Sequence, residues 1–125
     1  MRKNNLLIIQ ARMNSKRLPG KIMMNLGKYK VIELLYNRVK KAKKINNIIV
    51  ATTNTKKDDI LCDFLDTKNI KYFRGSEENV LKRYKDAASS INPKYIIRIT
   101  ADCPFIDNKI IDQMVSLYEK NKIDY

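Results

Sequence analysis

The residues best placed to do chemistry stand between positions 11 and 21. There Arg12, Lys16, Arg17 and Lys21 lie beside Ser15, Pro19 and Gly20, with no acid among them. Such a set suits oxyanions, because guanidinium forks, ammonium groups and turn N–H groups can converge on phosphoryl oxygens. The spacing matches neither GxxxxGK[ST] nor GxGxxG, so it is not one of the standard phosphate loops. On composition alone, a solvated basic loop accounts for it equally well. What precedes the loop favours a site. Leu6, Leu7, Ile8 and Ile9 form an apolar run too short for a helix, which reads as a buried strand opening directly into the cations.

The other elements follow in alternation. Apolar residues at 31, 32, 34, 35, 39 and 42 make a helical stripe over 31–44, with Lys40, Lys41, Lys43 and Lys44 in its last turn, favourable at the negative end of a helix dipole. A second strand is expected over 47–52. Thr55 with Asp58 resembles a capping box before a helix that carries Ile60, Leu61, Phe64 and Leu65 on one face. A third strand covers 70–73. Ser76 can cap the next helix, whose first turn holds Glu77 and Glu78 and whose buried side is Val80, Leu81, Tyr84, Ala87 and Ala88. The fourth strand, 95–100, runs into Asp102, and a last helix buries Ile110, Ile111, Met114, Val115 and Leu117. Residues 123–125 look like the opening of one more strand.

Strands alternating with helices imply an α/β fold, a parallel sheet of about four strands with helices on both faces. In the doubly wound order 3-2-1-4, the topological switch falls between strands one and four, and ligands bind outside the strands' C-terminal ends there. That position brings together the cationic loop 11–21 and the segment 101–105, which contributes one acid, Asp102. Cations for phosphate oxygens and a carboxylate for a metal suit a magnesium nucleotide. Cys103 reads as packing, since the chain has no His to activate a thiolate. Arg98, alternating with Ile97 and Ile99, reads as a structural ion-pair partner, and Arg83 as a residue on the polar side of its helix, solvated or facing substrate.

Composition sets the limits. The 125 residues make one domain, and the net charge of +13 invites a nucleic-acid partner. Against that, the 19 Lys are spread along the chain beside 17 Ile and 13 Asn, a general compositional bias, and no aromatic RNA-binding motif or zinc-finger spacing is present. Nucleic acid is therefore the least favoured partner. Two cysteines outside any CxxC motif make zinc improbable and fit a reduced, cytoplasmic setting. No apolar run reaches the roughly 20 residues that span a bilayer.

Three ordered blocks carry a resemblance. Residues 8–21, 73–84 and 98–107 resemble the signature segments of the cytidylyltransferases that activate sugar acids, the acylneuraminate and 3-deoxy-manno-octulosonate enzymes, and most of all their spore-coat polysaccharide branch. The resemblance spans nearly the whole chain but only the N-terminal, nucleotide-binding half of such enzymes. It implies a truncated Rossmann-like nucleotidyltransferase fold, and transfer of CMP from CTP to an acidic sugar with release of pyrophosphate, in surface or spore-coat polysaccharide synthesis. It further implies that Ala11 and Arg12 begin the nucleotide loop and that Arg12, Ser15, Arg17 and Lys21 hold the triphosphate. Arg74 and Thr100 would lie near the base, and Asp102 would bind Mg2+. Arg12, Lys21 and Asp102 are then the catalytic set. Ile22 stands where the sialate enzymes carry a base-reading Asn, and Ala101 where a Gly is common. A second half would supply most acceptor contacts and the dimerisation segment, so a homo-oligomer or a C-terminal partner segment is implied. The alternative is a nucleotide-binding or assembly module without turnover.

Overall fold

A computed structural model of the chain describes residues 5–13, 20–89, 91–101 and 107–121, with the side chains of Val80 and Asn121 excepted. Four strands, β1 (Asn5–Gln10), β4 (Asn47–Thr53), β5 (Tyr72–Gly75) and β6 (Tyr95–Thr100), form one parallel sheet in the order β5-β4-β1-β6. This is the expected 3-2-1-4 arrangement. Between them lie α1 (Val31–Val39), α2 (Asp59–Thr67) and α3 (Val80–Ser89), and α4 (Asn108–Asn121) follows β6. Strands β2 (Asn25–Leu26) and β3 (Tyr29–Lys30) make a small antiparallel hairpin that the sequence reading missed. Gly27 turns it at a φ of 65°, a conformation glycine adopts without steric cost.

The central strand explains the core. Leu6, Leu7, Ile8 and Ile9 are all fully buried, because helices cover both faces of β1. Leu7 and Ile9 pack with Ile32, Leu35 and Val39 of α1, Leu61 and Leu65 of α2, and Ile111 of α4. Leu6 and Ile8 point the other way, onto Tyr84, Ala87 and Ala88 of α3. Each such aliphatic side chain contributes about 1.5–3 kcal/mol relative to exposure. The winding therefore reverses between β1 and β6, with α3 crossing back alone on its face.

Several local expectations need correction. The first helix stops at Val39 rather than 44, so the lysine cluster follows the helix instead of closing it. The backbone N–H groups of Lys43 and Lys44 donate to the Asp112 carboxylate of α4, at 2.9 and 2.8 Å. The third strand is displaced two residues, to Tyr72–Gly75. Ser76 accepts from Asn79 N–H, but Asn79 itself caps α3, its Oδ1 receiving Lys82 N–H at 3.0 Å. Ile60, Leu81, Ile110, Met114 and Leu117, expected inside, are exposed. Leu81 shows 77% of its surface, and Arg83, expected at the polar side, is fully buried in that same helix. Residues 123–125 and Cys103 lie outside the described residues. Among the described residues no helix is long and apolar enough to cross a membrane.

Candidate nucleotide site

The site forms where the strand order reverses. Ala11 extends the β1–β4 ladder by one bond, from its N–H to Ala51 O at 3.0 Å, and Ala101 N–H does the same to Gln10 O at 2.9 Å. The ends of β1 and β6 are thus held level, with Gln10 opposite Thr100 in register. A cavity of about 200 Å³ opens there, lined by Gln10, Ala11, Arg12, Lys21, Ile22, Thr100 and Ala101. Four of the expected residues, Ala11, Arg12, Lys21 and Thr100, come together in it. Ser15, Arg17 and Asp102 lie outside the described residues.

The loop between Arg12 and Lys21 is fixed at its neck by Met13. Its N–H donates to Asp58 Oδ1 at 2.7 Å, and its carbonyl accepts Gly20 N–H at 2.9 Å. Gly20 has a φ of 77°, a left-handed turn that L side chains rarely adopt, and it launches a single 3-10 turn, Lys21–Met23. That turn delivers Lys21 to the cavity and buries Ile22 beneath it. Asp58 is itself buried and also accepts the Thr53 hydroxyl. The expected capping box is therefore not made: Thr55 makes no side-chain cap, and the carboxylate reaches across to the loop instead. Sequence reasoning saw Asp58 only as a local cap, because nothing in the sequence links it to a residue 45 positions away.

Arg74 is not brought to the cavity. Its Nε donates to Thr53 O at 2.9 Å, its guanidinium reaches Thr55 O at 2.8 Å, and the same nitrogen pairs with Asp59 at 2.8 Å. The Asp59 hydrogen bond holds the guanidinium above its ordinary range. Arg74 instead lines a separate polar cleft with Asn54, Phe73, Ser76, Glu78 and Lys82. Arg98 makes no ion pair among the described residues and lies over the Tyr84 ring, 5.1 Å from its centroid. The Tyr84 hydroxyl in turn donates to Gln10 Oε1.

Chemically, the cavity lining combines two cations, Arg12 and Lys21, with a neutral amide, Gln10, and the strand-end Thr100. Neither Arg12 nor Lys21 has a carboxylate within ion-pair distance among the described residues, whereas Lys44, Lys68 and Arg74 do. The described lining fits oxyanions. It does not by itself make a divalent-cation site, since no carboxylate lines it and no cluster of three metal-binding side chains occurs among the described residues.

Comparison with known proteins agrees with that chemistry. The Cytidylyltransferase family model matches residues 6–125. The chain is 39% identical over 124 residues to the Spore coat polysaccharide biosynthesis protein SpsF of Bacillus subtilis, covering 96% of this chain and 52% of the relative. It is 32% identical over 123 residues to the 8-amino-3,8-dideoxy-manno-octulosonate cytidylyltransferase of Shewanella baltica, covering 94% and 49%. A solved cytidylyltransferase from Leptospira borgpetersenii superposes with a TM-score of 0.84 at 37% identity, over 97% of this chain and 50% of that one. The chain thus spans about half the length of the curated relatives it matches.

Proposed function

Because the chain belongs to the cytidylyltransferase family, we propose that its strand-end cavity holds the triphosphate of CTP for transfer of CMP to an acidic sugar. The observation that carries this reading is the pair of cations Arg12 and Lys21, without an ion-pair partner among the described residues, lining one cavity at the switch point of the sheet. In the reaction an acceptor oxygen attacks the α-phosphorus, the bond from that phosphorus to the bridging oxygen breaks, and pyrophosphate leaves with the electron pair. Such a step needs in-line positioning and neutralised charge more than a covalent nucleophile. Lys21 and Arg12 supply fixed positive charge where it builds, on the α-phosphoryl oxygens and the leaving group. Magnesium, with Asp102 as its ligand, would add further neutralisation. The named substrate of the Shewanella relative supports a sugar-acid acceptor, and the Bacillus relative a role in surface or spore-coat polysaccharide synthesis.

A second reading, nucleotide binding without turnover, draws on the half-length match and on the exposed Leu81 and Ile96 beside β6. On that reading the face takes a second copy of the chain or a C-terminal partner segment. One experiment addresses both readings: calorimetric titration of CTP, with ATP and GTP as controls, with and without magnesium, on wild type and Lys21→Ala. Loss of a hydrogen-bonded cation at a phosphate predicts CTP affinity about 10- to 100-fold weaker in the variant. Pyrophosphate release on adding sugar acids then separates enzyme from binding module. No CTP binding by the folded wild type, or equal binding by Lys21→Ala, refutes the nucleotide site.

A further inference from the structure

Gln10 is a cavity residue that neither the cationic loop nor the strand-end pair explains. It ends β1 with its side chain on the α3 face, the face of Leu6 and Ile8, and reaches both Tyr84 and the cavity. A carboxamide has one acceptor and two donors, so what it offers a ligand depends on which end is already engaged. Here the engagement has a direction. The Arg98 guanidinium, which can only donate, lies over the Tyr84 ring, 5.1 Å from its centroid, and so offers the phenol no acceptor. The Tyr84 hydroxyl donates its proton to Gln10 Oε1, an atom that can only accept. With Oε1 occupied, Gln10 Nε2 is the free end, and it makes no hydrogen bond among the described residues. Tyr84 is only 7% exposed, so it holds this orientation from inside the core. Ile22, an apolar residue of the same lining, offers no competing polar side chain.

We propose that Gln10 is a specificity-determining residue of this site, its amide N–H groups donating to a ring carbonyl oxygen of a pyrimidine base. The inference rests on the nucleotide reading above and deepens it. Phosphates take Arg12 and Lys21, which leaves the neutral donor to the neutral end of the nucleotide. A rigidly held amide selects a rigid acceptor such as a ring carbonyl, whereas a sugar hydroxyl can rotate to donate or accept and is not discriminated. Tyr84 acts through Gln10 and is a positioning residue.

The test uses this chain with CTP, ATP and inorganic triphosphate as probes, since ATP has the ribose and phosphates but no ring carbonyl. Gln10→Met strands the buried phenol, so the double variant Gln10→Met/Tyr84→Phe, which removes both partners of the bond, is the fold-preserving comparison. Its fold is checked by circular dichroism and a thermal melt. In the double variant CTP affinity is expected to fall about three- to tenfold, the worth of one hydrogen bond between neutral groups. Affinities for ATP and inorganic triphosphate stay unchanged. Tyr84→Phe alone lowers CTP affinity by less, and adds nothing once Gln10 is Met. Unchanged CTP affinity in the double variant, or CTP and ATP falling together, overturns the assignment while leaving the nucleotide site standing. Wild type that binds inorganic triphosphate with no gain for CTP over ATP also overturns it, and failure to bind any of the three sinks the nucleotide reading with it.

Discussion

Removing the Asp58 carboxylate should cost this protein both stability and the preorganisation of the loop proposed to hold the triphosphate. Asp58 is 1% exposed and accepts two hydrogen bonds, from Met13 N–H at 2.7 Å and from the Thr53 hydroxyl. Hydrogen bonds to a charged acceptor contribute about 1.5–3 kcal/mol each, and a donor left buried costs its desolvation. Met13 is only half-buried and Thr53 retains Thr55 Oγ1 at 2.9 Å, so part of that loss is recovered. Asp58→Ala is therefore expected to lose about 3 kcal/mol, lowering Tm by about 10 °C for a domain of this size. Asp58→Asn keeps an acceptor for Met13 and an amide that can donate to Thr53 Oγ1, so it should lose only about 1 kcal/mol. The two are compared by urea denaturation, followed by CTP titration at a temperature where both are folded. The remaining tie, Gly20 N–H to Met13 O, holds one side of the neck only. CTP affinity should then drop about 5- to 10-fold in the Ala variant, the share attributable to lost preorganisation. Asp58→Ala within 1 kcal/mol of wild type would refute the staple, and so would an Asn variant as damaged as the Ala variant.

Two further outcomes follow from buried ionisable groups. Burial chiefly pushes the Cys62 thiol above its ordinary 9.0 and the Tyr84 phenol above 10.0, the latter against the opposing pull of Arg98 and Arg83. The unfolded chain then gives up these protons first, so stability present below pH 9 declines as pH rises through each folded-state value, and the decline in urea midpoint should be shallower in Cys62→Ala. Arg83 is fully buried, burial lowers its basicity, its Nε has no hydrogen-bond partner among the described residues, and one nitrogen donates to Ser76 O at 2.7 Å. Arg83→Met should therefore lie within about 1 kcal/mol of wild type or above it, whereas Arg83→Ala, which empties the space against Gly75, should lose about 3 kcal/mol in the same denaturation assay.

Legibility tracked how much of each signal was local. The order of the sheet and the span of β6 were readable because alternation and a continuous apolar run are properties of adjacent residues. The β2–β3 hairpin was not, since two-residue strands are too short to show a period of two. The helix over 31–39 was overextended because Ala42 is buried in the same core yet sits in a turn held by Asp112 from α4. In the site, Arg12 and Lys21 were readable from their loop. Gln10 and Asp58 were not, because their roles depend on Tyr84 and Met13, partners 74 and 45 positions away. Arg83 was placed on the polar side by helical spacing, which has no means of knowing that Gly75 leaves room for its stem.

The net charge of +13 is a poor guide to what the cations do. Lys68 pairs with Glu33 at 3.2 Å and also covers the Phe64 ring, and Lys30 covers the other approach to that ring while donating to Met23 O. These are long side chains shielding apolar surface, with their charge spent locally or in solvent. Arg12 and Lys21 differ in placement, not in kind. They are held beside the ends of β1 and β6, by a neck that Met13 closes on both its backbone groups, facing a cavity with no described acid. Both line the same cavity, so an anion bound there meets two positive groups at once. On the proposed nucleotide reading, a polyphosphate that binds only the folded chain raises its stability by mass action, which ties the loop neck to that ligand, and the same urea denaturation with inorganic triphosphate added should show a higher midpoint.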